Sequence, residues 1–212
     1  MRLLEGIDQN IGSFRHVEKD MFVTPFFTKE YCSYLIDEFE KVGFNPREDA
    51  EEEVIATWSY DRYLHKISGG NQAALDFLKV VKEYIEPEII KHWTPAVKGR
   101  LWSGYPIPFC TKFSKDTKTS LKLHNDNSII TLFVKLNDSF EGCKTVYPRQ
   151  GWNSGDLRVG EMIILPGAVT HPHYTEKLKS GKKYSLVGRI SILSPRSNEF
   201  DDIRNLSLEE NI

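Results

Sequence analysis

Sulfur is scarce in this sequence, and no long apolar run occurs. The three cysteines, Cys32, Cys110 and Cys143, are odd in number and widely spaced. They form neither a disulfide framework nor the paired spacing of a structural zinc site. Such usage suits reduced thiols in a reducing compartment. No stretch reaches the apolar length needed to span a bilayer. The opening Met-Arg-Leu-Leu-Glu-Gly-Ile-Asp lacks an apolar h-region and a small-residue cleavage site. No signal peptide is therefore expected, and the location expected is cytoplasmic, with no membrane partner. A surplus of positive charge is missing too: 28 Lys and Arg stand against 30 Asp and Glu, for a net charge of −2. That balance argues against a general binder of nucleic acid or anionic membrane.

What is present is an ordinary globular composition, 40% hydrophobic over 212 residues, enough chain for one substantial core. One domain over 1–212 is expected, with helical support over 20–95, a β core over 97–193 and a polar tail over 194–212. Residues 1–20 read as an irregular or strand-like lead-in, and 22–27 as a short strand. Thr28 offers an N-cap, and Tyr31, Leu35, Phe39 and Val42 recur at helical spacing up to the stop at Gly43. The acidic run at 48–53 reads as an exposed loop, with selection of a cationic substrate as the alternative. Trp58, Tyr60, Tyr63 and His65 sit in a segment that is strand or loop. A second helix is predicted over 71–92, its buried stripe Leu75, Leu78, Tyr84, Ile85 and Ile89, with Pro87 kinking it or ending its first part. Beyond Pro95 the chain reads as strands at 107–113, 120–125, 128–137, 143–147, 160–165, 171–174 and 183–193. Helices followed by short strands and turns imply a β sandwich or barrel with helices packed outside.

Chemistry concentrates at 120–137. His124 and Asp126 lie two apart where an extended segment meets an apolar strand, so their side chains share a face. One His and one Asp are two-thirds of the 2-His-1-carboxylate triad that holds non-haem Fe(II). Taken alone, an H-x-D triplet more often marks a solvated strand end. The third ligand must come from a distant strand, and either His171 or His173, after the buried strand closed by Pro166-Gly167, could reach it. Further on, alternation places Lys183, Ser185, Val187 and Arg189 on one face, and Lys182, Tyr184, Leu186 and Ile190 on the other. A lysine pointing into a barrel is expensive unless paired. A dicarboxylate cosubstrate would supply the pair, with Ser185 adding a hydrogen bond. By itself, a solvent-facing Lys183 beside Lys182 is the simpler reading.

His124-x-Asp126, then His173, then a basic residue ten positions later, resembles the signature of the Fe(II)/2-oxoglutarate dioxygenases of the prolyl and lysyl hydroxylase type. The stretch from Phe109 to Asn137 resembles the collagen lysyl hydroxylase catalytic domain without a gap, as do Phe140-Glu-Gly-Cys143, Thr170-His-Pro-His173 and Gly181-Lys-Lys-Tyr184. The resemblance is strong from 107 onward and weak over 43–100. It implies a mainly β fold with flanking helices around a double-stranded β-helix core of jelly-roll, cupin-like form.

The same resemblance implies His124, Asp126 and His173 as iron ligands, and Lys183 as the partner of the 2-oxoglutarate C5 carboxylate, with Arg189 on the same face as the rival anchor. Thr131 becomes a hydrogen-bonding partner of the cosubstrate, Arg149 a residue that meets substrate or caps a turn, and His171 a neighbour of the site. The implied reaction uses Fe(II), 2-oxoglutarate and O2, with ascorbate as a reductant. It hydroxylates an unactivated C–H of a lysyl or prolyl residue in a protein or peptide and releases succinate and CO2. Two departures put the substrate in question: Lys183 stands where lysyl hydroxylases usually have Arg, and Phe113 where many relatives carry a Tyr that touches 2-oxoglutarate. Residues 150–160 also look longer. The alternatives are oxidation of a nucleobase, small molecule or free amino acid by the same chemistry, or a non-enzymatic metal-binding β-helix module. The oligomeric state is not set by the sequence.

Overall fold

A computed structural model describes residues 1–44, 60–97 and 107–190. The acidic run at 48–53, Trp58, residues 191–193 of the last predicted strand and the tail at 194–212 lie outside the described residues. No helix among the described residues is long and apolar enough to cross a membrane.

The chain enters through a 3-10 turn at Leu3–Gly6 and a hairpin of β1 (Arg15–Glu18) and β2 (Met21–Pro25). Helix α1 (Lys29–Val42) then forms where the spacing predicts it. The Thr28 hydroxyl accepts from the Tyr31 amide at the N-cap, and Gly43 (φ 82°) closes the other end. Tyr31, Leu35 and Phe39 are buried as expected, but Val42 is 40% exposed.

After β3 (Tyr60–Tyr63), the predicted second helix is three pieces: α2 (Gly70–Val80), a π-helical turn at Val81–Ile85, and α3 (Glu86–Val97). The wide turn sits just before Pro87, whose ring and missing amide a regular helix would not tolerate. It also slips the helical phase. Ile85 and Ile89 remain fully buried, while Tyr84, expected in the buried stripe, is 38% exposed.

The remainder is β4 (Phe109–Phe113), β5 (Leu121–His124), β6 (Ile130–Lys135), β7 (Phe140–Gly142), β8 (Thr145–Tyr147), β9 (Trp152–Asn153), β10 (Glu161–Pro166), β11 (His173–Thr175), β12 (Leu178–Gly181) and β13 (Lys183–Ile190). A seven-stranded sheet runs β1-β2-β10-β6-β13-β4-β3, a four-stranded sheet runs β5-β11-β8-β9, and β12 pairs with β7. Strands β7, β9 and β12 escaped the sequence reading because each is too short to show an alternation.

Strands β6, β10 and β13 of the long sheet are buried on both faces, which is why much of each reads as a hydrophobic run. Ile130, Leu132, Val134, Tyr184, Leu186 and Ile190 face α1 and α2 in the larger core. Phe133, Ile163, Leu165 and Val187 point the other way, toward Tyr147 and Trp152 of the short sheet. The interior between the two sheets is where β13 directs Lys183, which is buried at 3% exposure, while Lys182 is exposed. The alternation read from the sequence therefore describes the strand correctly.

The turn after β10 touches the site-bearing strands directly. Gly167 donates its amide to the Ile129 carbonyl, and a Cβ there would sit 2.1 Å from Ser128 Oγ and 2.9 Å from Thr131 Oγ1. By contrast, a Cβ on Gly151 would meet nothing within 4 Å, although its φ of +67° is left-handed. Gly167→Ala is expected to cost about 2–3 kcal/mol of overpacking strain, and Gly151→Ala about 1 kcal/mol of backbone strain. Urea unfolding of the two variants checks the order.

Candidate active site

The ends of two antiparallel strands build a cluster of three side chains that could hold a metal ion. Strand β5 stops at His124, β11 starts at His173, and the two residues are direct cross-strand partners. Facing residues on one side of such a pair have closely spaced Cβ atoms, and here the imidazole centroids are 4.4 Å apart. Asp126, two residues past β5, turns its carboxylate between them, 4.0 Å from His124 Nε2 and 3.9 Å from His173 Nε2. One ligand atom from each of the three lies within 4.8 Å of the others.

Each imidazole is oriented by its other nitrogen. His124 Nδ1 donates to the Lys122 carbonyl at 2.8 Å, and His173 Nδ1 donates to the His171 carbonyl at 3.1 Å. Nε2 of both rings is thereby left as the lone-pair nitrogen, the tautomer a metal requires. Burial holds His173 below the usual imidazole range despite the neighbouring Asp126, so its ring is neutral. Burial pushes the Asp126 carboxyl up, but Arg189, His173, the Thr131 hydrogen bond and His124 together hold it below its ordinary value.

Asp126 is held at both oxygens. Thr131 donates its hydroxyl to Oδ2 at 2.7 Å and accepts from Ser128 at 2.8 Å, while Arg189 Nη2 donates to Oδ1 at 3.0 Å. The Arg189 guanidinium lies 5.1 Å from the Phe109 ring centroid, and its buried Nε has no acceptor among the described residues.

His171 and His173, indistinguishable as candidates on spacing alone, are separated by the structure. The His171 ring is turned away, bonded through Nδ1 to Thr170 at 2.9 Å and donating Nε2 to the Lys19 carbonyl in the β1–β2 turn at 3.3 Å. Only its backbone carbonyl reaches the cluster, through His173.

A cavity opens from the cluster into the space between the sheets, lined also by Phe113, Thr131, Thr145, Tyr147, Lys183 and Arg189. At its inner end Lys183 Nζ donates to the Cys143 carbonyl at 2.9 Å and the Thr145 hydroxyl at 2.8 Å, flanked by the Phe113 and Phe133 rings. No carboxylate pairs with it among the described residues, and burial lowers its ammonium to about 8. Two neutral acceptors leave the third proton of a buried ammonium free to meet an anion.

The other expected residues divide. Ser185 is buried on the inner face of β13 with its hydroxyl unpartnered, but it does not line the cavity. Arg149 is exposed in the β8–β9 turn, also outside the cavity lining. Arg189, the rival anchor, is committed to Asp126. Tyr147 went unnoticed in the sequence. It lines the cavity with its ring 4.9 Å from His173, and burial and the Asp126 charge push its phenol well above the ordinary range. The Tyr-Pro-Arg context drew attention to Arg149 instead, and only the alternation Thr145, Tyr147 hinted at a shared inner face.

No protein-family model matches the chain. It is 26% identical over 198 residues to human procollagen-lysine,2-oxoglutarate 5-dioxygenase 2, an alignment that covers 81% of this chain and 23% of that protein. It is 24% identical over 199 residues to the procollagen lysyl hydroxylase and glycosyltransferase of Acanthamoeba polyphaga mimivirus, covering 86% of this chain and 21% of that protein. The chain thus spans less than a quarter of the length of these relatives. Among solved structures, the 2-oxoglutarate complex of the viral collagen prolyl hydroxylase from Paramecium Bursaria Chlorella virus-1 superposes with a TM-score of 0.59 at 15% identity, over 82% of this chain and 97% of that one. By sequence the chain is a relative of the procollagen-lysine 2-oxoglutarate dioxygenases, and by fold it is a double-stranded β-helix of the kind that the viral prolyl hydroxylase shares.

Proposed function

We propose that this chain is an Fe(II)- and 2-oxoglutarate-dependent dioxygenase that hydroxylates a lysyl or prolyl side chain of a protein or peptide. The observation that carries the reading is Lys183: a buried cation that meets only neutral acceptors among the described residues, in the same cavity as the two histidines and the aspartate. A metal site alone would not need it. An uncompensated buried charge is costly, and a dicarboxylate that reaches from the metal to the ammonium offsets that cost.

His124, Asp126 and His173 would hold the iron on one face, two neutral nitrogens and one anionic oxygen being a donor set suited to Fe(II). Bound there, iron with 2-oxoglutarate and O2 supplies the oxidising power for C–H hydroxylation, with succinate and CO2 released and ascorbate as the reductant that keeps the metal ferrous. The protein's own part is positioning. Thr131 and Arg189 fix the Asp126 carboxylate, the Lys122 and His171 carbonyls fix the imidazoles, and Lys183 sets the reach of the cosubstrate. Phe109, Phe113, Phe133 and Val187 line the cavity with apolar surface that limits water around it.

Peptide over nucleobase is favoured by the acidic balance of the chain and by Arg189, whose pairing with Asp126 takes it out of a basic pair with Lys183. A reducing, cytoplasmic setting is supported by the three cysteines, all free and buried.

Reconstituted with Fe(II), the protein is expected to form succinate from 2-oxoglutarate, stimulated by a lysine- or proline-containing peptide. Succinate at background level with every peptide pool would sink the reading. His173→Ala should abolish turnover, whereas His171→Ala should lose no more than about tenfold, since it acts through its backbone; the reverse order would move the third ligand.

Lys183→Met should weaken 2-oxoglutarate binding to the Mn(II)-loaded protein by at least about 100-fold, measured by calorimetry under argon. A pH series checks the same residue without any ligand. The folded ammonium titrates at about 8, below its ordinary 10.5, so between these values the unfolded chain binds the extra proton. Stability of the unsubstituted protein should therefore rise, relative to Lys183→Met, as pH climbs from 8 toward 10.

A further inference from the structure

Among the described residues, two cavity-lining hydroxyls take part in no hydrogen bond, those of Thr175 and Tyr147. Thr131 gives its proton to Asp126, and Thr145 accepts from Lys183. Tyr147 lines the same space, yet no hydrogen bond reaches its hydroxyl among the described residues. It is a large side chain, 2% exposed, packed among Met21, Val23, Ile163 and Leu165. The hydroxyl is not one of the fully buried unpartnered atoms, so it faces the open cavity as a donor, and a phenol tip left open inside an apolar shell calls for a physical reason.

The position of Tyr147 supplies one. It lies on β8 two residues beyond Thr145, so both side chains face inward from the same strand. Thr145 touches the ammonium end of the cavity, and the Tyr147 ring packs on His173 at the metal end, with centroids 4.9 Å apart. Trp152, its cross-strand partner, holds the ring from the other side at 5.7 Å. The phenol is thus a neutral donor lining the same cavity as the charge that would take one carboxylate and the cluster that would hold the metal. Phe113 lies 5.4 Å from Lys183 Nζ and offers that cation a ring face but no donor to an anion.

We propose that the Tyr147 hydroxyl donates a hydrogen bond directly to the dicarboxylate cosubstrate, giving from β8 a contact that Phe113 on β4 cannot make. This inference rests on the 2-oxoglutarate reading above and adds a residue to it. Because the donor is neutral and its ring is wedged between two aromatic neighbours, it orients the cosubstrate without adding charge to the site.

The test is direct binding of 2-oxoglutarate to the full chain loaded with Mn(II) under argon, followed by calorimetry, for the unsubstituted protein and for Tyr147→Phe. The variant keeps the ring and removes only the hydroxyl. It is expected to bind 2-oxoglutarate about tenfold more weakly, the loss of one hydrogen bond to a charged acceptor, with Mn(II) affinity and thermal midpoint unchanged. Equal 2-oxoglutarate affinity in the two proteins would overturn the assignment while leaving the cosubstrate reading standing. A parallel fall in Mn(II) affinity would also overturn it, because the hydroxyl would then be supporting His173 and not the ligand. Failure of the unsubstituted Mn(II) protein to bind 2-oxoglutarate at all would remove the cosubstrate reading itself.

Discussion

The site depends on a cross-strand pairing. His124 ends β5 and His173 begins β11, and the antiparallel register that makes them direct partners brings together two imidazoles far apart in the chain. A slip of one residue in that register would send one of the rings to the opposite face of the sheet, because side chains alternate with a period of two. The register is bound in on the inner side, where β11 also pairs with β8, matching Tyr174 to Val146 and Thr175 to Thr145. Residues that build the metal end and the ammonium end of the cavity therefore belong to one short ladder.

Around that pairing the fold divides its two kinds of work between the faces of the long sheet. One face is covered by α1 and α2 and is mainly apolar, the Lys112–Glu40 ion pair aside, and under this layer β6 and β13 pair along most of their length. The other face carries the polar groups, and each is placed by a strand whose reverse side is buried. Thr131 and Arg189 are cross-strand partners on β6 and β13, and both donate to Asp126. Preorganisation of this kind is costly to build, since it collects donors and charges inside a core, and it gives the carboxylate one orientation before any ligand arrives. The unpaired ammonium of Lys183 is the largest remaining cost, and it is the feature that most clearly distinguishes a ligand pocket from an ordinary interior.

Much of this was legible in the residues. Thr28 and Gly43 bounded α1 because capping is local chemistry, and the strands from 107 onward showed themselves through alternation or apolar runs. The pair His124 and Asp126 stood out by spacing, but it gained weight only with His173 and Lys183, and Asp126 lies just past the end of β5 and not on the strand. Less legible were the exposed Val42, the last residue of α1, and Tyr84, which falls in a π turn that shifts helical phase before Pro87. Strands β7, β9 and β12 are two to four residues long, too short for any periodicity to register.

The sequence by itself determined the inward face of β13, and with it the placing of Lys183, Ser185, Val187 and Arg189 on one side, because strand alternation is a property of the backbone. It also pointed to His124 and Asp126 as a candidate pair. It could not decide between His171 and His173 on spacing alone, since both follow the same turn; tertiary structure turns the His171 ring to the Lys19 carbonyl and leaves His173 facing its partner. It could not decide between Lys183 and Arg189 as the free cation either. That depended on where the Asp126 carboxylate points, and only the folded chain brings it within 3.0 Å of Arg189 while Lys183 meets neutral oxygens alone.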